Sequence, residues 1–215
     1  MKKQILLISL LLLTALYARA QRHSIGLIGG LSNTTAILDS KGPQNINQKT
    51  NLLMGIQANV DLDKHWFFAP EIVYRQNGYS FKPGGIEYQA DYSYFAIPIK
   101  IGFQVGSKIR GFVNTGLTPA FLLDAQTTGP LNGPADGFID PKQQSNIRVF
   151  TPSFDLSGLV GVGVKYSFGN FLVSLEGRYN QSFSKFDDFI VYYAETASHQ
   201  SWQMLLGVHY TLGEK

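Results

Sequence analysis

Cysteine is absent from all 215 residues, so the chain can hold neither a disulfide nor a lipid-anchored N-terminal cysteine. Histidine is scarce: His23, His65, His199 and His209 are the whole set, and no two stand at metal-ligand spacing with a carboxylate partner. No metal is therefore expected. No cofactor is expected either, because no phosphate-binding loop or other nucleotide motif occurs. After the first 20 residues no apolar run approaches the ~18 residues of a transmembrane helix, so any membrane crossing must use strands. Charge is sparse as well, and its excess is local. Lys2, Lys3 and Arg19 lie in those first 20 residues, which hold no acid; removing them from 18 basic residues leaves 15 against 15 acidic, and the net charge of +3 becomes zero. A neutral remainder gives no reason to expect nucleic acid as a partner.

What is present begins with a leader. A basic start at Lys2-Lys3, an apolar run from Ile5 to Leu13 broken only by Ser9, and Ala18 and Ala20 before Gln21 form a secretory signal pattern. The run is too short to span a bilayer. Cleavage is expected after residue 20, leaving 21–215 as one barrel domain.

Period-two alternation fills the rest. Leu52, Met54, Ile56, Ala58 and Val60 share one face of a strand, while Gly55, Gln57, Asn59 and Asp61 share the other. The same rule places Trp66, Phe68, Ile72 and Tyr74 opposite Glu71 and Arg75. It places Phe95, Ile97, Ile99, Ile101 and Phe103 opposite Tyr94, Lys100 and Gln104. Further strands are expected at Ser24 to Ser32, Arg110 to Leu122, Ser153 to Phe168, Phe171 to Ser184 and His199 to Leu212, which makes eight. Each is long enough for the ~9 to 11 residues that span a bilayer when tilted. Tight turns at Asp61-Leu62-Asp63-Lys64 and Gly169-Asn170 contrast with long connections near 33–50, 79–91, 123–152 and 185–198. Long and short loops strictly alternate, as in bacterial outer-membrane barrels.

The fold expected is therefore all-β: an eight-stranded antiparallel up-and-down transmembrane β-barrel behind a cleaved signal peptide. A soluble lipocalin-like barrel would share the alternation but turn its apolar face inward. Apolar-out is favoured by Trp66, Trp202, Tyr74, Tyr166, Tyr179 and Tyr210 towards strand ends, and by charges in mid-strand on the polar face. Those charges, with Asp61, form the expected lumen network: Glu71, Arg75, Lys100, Asp155, Lys165, Glu176, Arg178 and His209. Glu71 and Arg75 are too far apart along one strand to pair and must reach neighbouring strands, with Lys100 the expected partner of Glu71 and Glu176 or Arg178 of the right parity to complete a network. Pro98 sits in mid-strand where it cannot donate to a ladder, and a bulge is the expected remedy; Pro70 and Pro119 raise the same difficulty.

Three resemblances follow from local motifs. Tyr94-Phe95-Ala96-Ile97-Pro98-Ile99-Lys100 and the glycine-rich Asp155 to Tyr166 segment resemble the Bacteroidetes outer-membrane β-barrel family that includes PorT-like proteins. That resemblance implies an outer-membrane barrel of structural or interaction role, accessory to a protein secretion or envelope complex, with outer-membrane lipid as its surroundings. Gly207 to Leu212 resembles the C-terminal signal read by the barrel assembly machinery, apart from Leu205 where a polar residue is usual. His199-Gln200-Ser201 resembles the His-x-Ser pair of outer-membrane lipid A deacylases, although the flanking residues do not match and parity turns both side chains to the lumen. A lipid-modifying enzyme and a small-solute pore thus stand as alternatives. Outside the membrane, residues 79–91 (with Tyr79, Phe81, Tyr88 and Tyr92 in or beside them) and the loop at 123–152 are the expected binding segments.

Overall fold

The computed structural model describes residues 23–38, 46–82, 87–129, 144–148, 151–187 and 196–212. The expected leader and the loop prolines Pro130, Pro134 and Pro141 lie outside the described residues. The alternating segments form β1 (His23–Leu38), β2 (Ile46–Asp61), β3 (Trp66–Phe81), β4 (Tyr88–Ala96), β5 (Ile99–Gly106), β6 (Ile109–Thr128), β7 (Gln144–Asn146), β8 (Phe154–Phe168), β9 (Phe171–Ser182), β10 (Phe186–Asp187) and β11 (Thr196–Leu212). Strands β4 and β5 are two halves of one stave, while β7 and β10 are short additions to β6 and β11. Eight antiparallel staves remain, and β11 closes the ring by pairing with β1 from His23↔Leu212 to Leu38↔Ala197.

Parity decides what each face meets. On the outer face Leu27 is 70% exposed and Met204 65%, whereas Glu71, Lys100 and Arg178 on the inner face are at most 2% exposed. The chain is apolar outside and polar within, the reverse of a soluble barrel. Aromatic rows mark both margins of the apolar band. Towards the tight turns, Phe168, Phe171 and Tyr210 follow one another at 5.7 Å, and Trp66 lies edge-on to Phe103. Towards the long loops, Tyr74, Phe95, Phe121 and Phe154 are register partners across successive staves, and Tyr179 packs on Trp202 at 4.8 Å. Aromatic rings at both interfaces are what an outer-membrane barrel places at the lipid headgroups.

The turns use local chemistry. In the first, the Asp63 carboxylate accepts the backbone N–H groups of Trp66 and His65 at 2.7 and 2.6 Å, which holds its carboxyl below the usual carboxylate range. In the hairpin between β8 and β9, Gly169 has φ +55°, a conformation that costs glycine little.

Two expectations are corrected. The staves run past their expected ends: β1 and β2 still pair at Asn33↔Thr50, and β3 and β4 pair out to Phe81↔Tyr88. Backbone pairing needs no apolar side chain, so polar sequence does not end a ladder. Tyr79 and Tyr92 consequently sit inside the barrel, 1% and 3% exposed and stacked at 6.4 Å, and not on an outer loop. Pro98, in turn, is not bulged. Val73↔Ala96 and Pro70↔Ile99 keep one register across it, as do Ala96↔Ala120 and Ile99↔Leu117. The N–H of Glu71 still donates to Pro98 O at 2.8 Å and that of Ile97 to Pro119 O at 2.9 Å, so the prolines keep their place as acceptors though they cannot donate. An extra residue there would turn the rest of the stave, Lys100 included, to the wrong face. The register shifts lie elsewhere, at Gln48/Leu53 and Ser93/Tyr94.

The outer face generates a prediction. Leu206 stands midway between Trp202 and Tyr210 on β11 and is 55% exposed. Leu206→Arg should destabilise the inserted barrel by about 2–4 kcal/mol, the cost of a basic residue at the bilayer midplane. Urea unfolding from phospholipid vesicles measures it.

Candidate functional site: the lumen

A barrel of eight staves has room inside for side chains but not for an open channel. At mid-height the interior is occupied by Glu71, Lys100, Glu176 and Arg178. Lys100 Nζ lies 2.5 Å from Glu71 Oε1 and 3.0 Å from Glu176 Oε2. Arg178 donates from Nη2 and Nη1 to the two oxygens of Glu71 at 2.8 and 3.0 Å, and from Nε to Glu176 Oε1 at 3.0 Å. Asn114 Nδ2 is a third group on Glu176, donating to Oε1 at 3.0 Å. Two acids and two bases therefore form one neutral, hydrogen-bonded unit, the condition under which buried charge is tolerated. Glu71 on β3 and Arg178 on β9 stand four staves apart in the ring, so this forked pair spans the barrel from wall to opposite wall. Gly161 makes the approach possible, since a Cβ there would fall 2.7 Å from both Glu176 Oε1 and Asn114 Oδ1.

A second layer lies nearer the long loops. Arg75 Nη2 donates to Asp155 Oδ2 at 2.7 Å, and its guanidinium lies 5.4 Å from the centre of the Tyr94 ring. Ser182 Oγ donates to the other oxygen of Asp155. Beyond it Leu53, Tyr79, Ala90, Tyr92, Tyr94, Leu122 and Ala125 form one buried cluster, beside the buried polar side chains of Thr34, Asn51 and Asn77. His199 sits among these rings, 4.9 Å from Tyr92 and 6.1 Å from Tyr94. Ser201 is also buried and accepts a bond from Gln203 Nε2 at 3.1 Å. The two residues that resemble a deacylase pair thus face a packed interior and not the lipid.

Towards the tight turns, Arg110 Nη1 reaches Asp61 Oδ2 at 3.2 Å and Gln104 Nε2 reaches Asp61 Oδ1 at 3.0 Å. Lys165 is buried at this level, donates to Asn59 Oδ1 at 3.3 Å and lies 3.5 Å above the centre of Phe67 and 4.9 Å from Phe112. Room for Phe67 comes from Gly102, whose Cβ would fall 2.2 Å from that ring. His209 faces the Gln57 amide at 2.9 Å.

Every residue assigned to the lumen from parity points inward. Lys100 pairs with Glu71 as expected, and Glu176 and Arg178 complete their network. Arg75 differs from the expected pattern: it pairs with Asp155 on β8 and not with an adjoining stave, because side chains from distant walls of a narrow barrel meet near its axis. Lys165 and His209 meet amides and rings. Arg110 and Asn114 were not among the expected site residues; the inward parity of β6 carries both, but its alternation is interrupted by Gly111, Gly116 and Pro119.

Glu71→Gln removes one acid from the central unit while keeping its shape. The inserted barrel should lose about 3–5 kcal/mol if the unit is dry, since Arg178 and Lys100 then share one carboxylate. A loss under about 1 kcal/mol in vesicle unfolding would show a hydrated network.

The comparisons with known proteins agree with this architecture. Residues 18–188 match the family model described as outer membrane protein beta-barrel domain. Among solved structures, the outer membrane protein OprG of Pseudomonas aeruginosa is similar at 12% identity and TM-score 0.51, covering 91% of this chain and 97% of that one. Neisserial surface protein A follows at 14% and 0.49, with 86% and 96% covered, and Ail of Yersinia pestis at 12% and 0.45, with 89% and 100% covered. At 12% identity the likeness to OprG speaks of fold alone. No curated protein matches the chain.

Proposed function

The chain belongs to the outer membrane protein beta-barrel domain family and resides in the bacterial outer membrane, and we propose that it works there as a structural or interaction protein, accessory to a secretion or envelope complex of the PorT-like kind. One observation carries the reading: the charged side chains at mid-height of the lumen are engaged with one another across it. Glu71, Lys100, Glu176 and Arg178 tie opposite walls together, and the tyrosine cluster fills the interior above them. Such a barrel presents its ends, not a channel, to partners. Export by the leader, cleavage after residue 20 and insertion by the barrel assembly machinery reading Gly207 to Leu212 complete the proposal.

Crosslinking in intact cells, followed by identification of the captured proteins, tests the interaction role. Envelope or secretion components are the expected catch. A chain recovered from the soluble periplasmic fraction, or one that crosslinks only to itself, would overturn it. The closed lumen makes a separate prediction. Purified barrel in planar bilayers should be electrically silent, and steady conductance would replace the interaction reading with a small-solute pore.

A further inference from the structure

Charge in the membrane-embedded interior does not balance. Among the described residues four inward carboxylates (Asp61, Glu71, Asp155, Glu176) face five inward cations (Arg75, Lys100, Arg110, Lys165, Arg178). Each carboxylate takes part in an ion pair, and four of the cations are used in doing so. Lys165 is the one left over. It is 3% exposed and makes no ion pair among the described residues; its ammonium donates to the Asn59 amide oxygen and lies over the faces of Phe67 and Phe112. Ring faces offset part of the cost of burying an ammonium, but they do not neutralise it.

The position of Lys165 gives the surplus a use. It lines a cavity of about 530 Å³ at the turn end of the barrel, between the Ser107-Lys108 and Gly169-Asn170 turns. The Phe67 and Phe112 rings, edge to face at 5.8 Å, stand between Lys165 and the central ion-paired unit. Lys108 and Arg110 line the same cavity, the Lys108 ammonium lying 5.5 Å from the Tyr166 ring at its rim, so among the described residues three cations line it against the single acid Asp61, which is already held by Arg110 and Gln104. The buried Nε of Arg110 has no hydrogen-bond partner among the described residues. Ser167 and Asn59 add neutral polar groups. In outer-membrane barrels the short turns face the periplasm.

We infer that this periplasmic vestibule is a binding site for a small oxyanion, phosphate- or carboxylate-bearing, whose charge is taken by Lys165 with help from Lys108 and Arg110. The volume falls within the usual range for small-molecule sites and leaves space for more than the anionic group itself. A ligand of this kind would complete the neutrality that the interior lacks. Binding at the turn end would also leave the lipid-facing surface untouched.

Pyrophosphate is a suitable probe, titrated calorimetrically into the folded barrel in maltoside micelles, which carry no phosphate. At low salt the wild-type chain should bind it, and the affinity should fall as salt rises. Lys165→Met keeps the stem over Phe67 and Phe112 and removes the charge; binding should weaken at least about tenfold, as when one partner of a buried charge pair is removed. Lys108→Ser, at an exposed turn position, should weaken it about threefold and decides the matter if the first variant fails to fold. Lys49→Met, at the opposite end of the barrel, should bind as wild type does. No binding at low salt, or the same affinity in both vestibule variants as in wild type, would overturn the inference. Nanodiscs of anionic phospholipid identify the source of the ligand: unchanged affinity assigns the site to a soluble anion, and a site already blocked assigns it to a lipid headgroup.

Discussion

Closure of the ring is the constraint on which everything else in this molecule depends. In hydrocarbon a strand edge would expose unpaired N–H and C=O groups at several kcal/mol each, so the sheet must have none. The pairing of β1 with β11 along the whole of β1 removes the edge. Once the sheet is closed, period-two geometry divides every stave into a lipid side and a lumen side. The lipid side must be apolar. The lumen side receives the remaining polarity and buries it, so an unpaired charge there is costly. The ion-paired unit around Glu71 and Arg178 is thus a consequence of closure, and the same unit then braces the walls that closure created.

How much of this could be read in the chain follows from the physics of each feature. Side-chain face was legible, because alternation is a property of neighbouring residues and needs no knowledge of the fold. The inward direction of Glu71, Arg75, Lys100, Asp155, Lys165, Glu176, Arg178 and His209 came from that alone. Partner choice was legible for Lys100 and Glu71, which stand on adjoining staves, and parity also marked Glu176 and Arg178 as able to complete their network. The match of Arg75 with Asp155 was not legible, because the two meet across the lumen. Such pairs are set by barrel diameter and by stagger around the ring, and neither leaves a mark on local sequence. The buried tyrosine cluster of the loop-side interior was missed for a related reason: Tyr79 has inward parity, yet its polar neighbours made residues 79–91 resemble a loop.

Pro98 teaches the complementary lesson. A local rule, that proline spoils a ladder, was correct about the lost donor and wrong about the response. Skipping a hydrogen bond costs on the order of 1 kcal/mol. A one-residue slip would carry every later side chain of the stave through the wall, Lys100 into lipid and Ile101 into the lumen. The larger penalty decides. Global register therefore overrides local imperfection at Pro98, and the register shifts sit where the staves leave the apolar band, beside Gln48 and Ser93.

With its middle occupied, the barrel has two chemically different ends. The loop-side end combines buried tyrosines with the half-exposed Lys49 and Asp91, joined at 2.6 Å. The turn-side end carries the surplus cation and a vestibule walled by Lys108, Arg110 and Lys165. Coupling between them through the lumen would need the Glu71 to Arg178 tie to break, which is unfavourable while the partner charges stay buried. The tie therefore insulates one end from the other. A rigid, closed barrel of this kind can present a fixed surface on each side of the membrane, and the charge left unbalanced at Lys165 gives its periplasmic side a chemical preference that the ion-paired middle lacks.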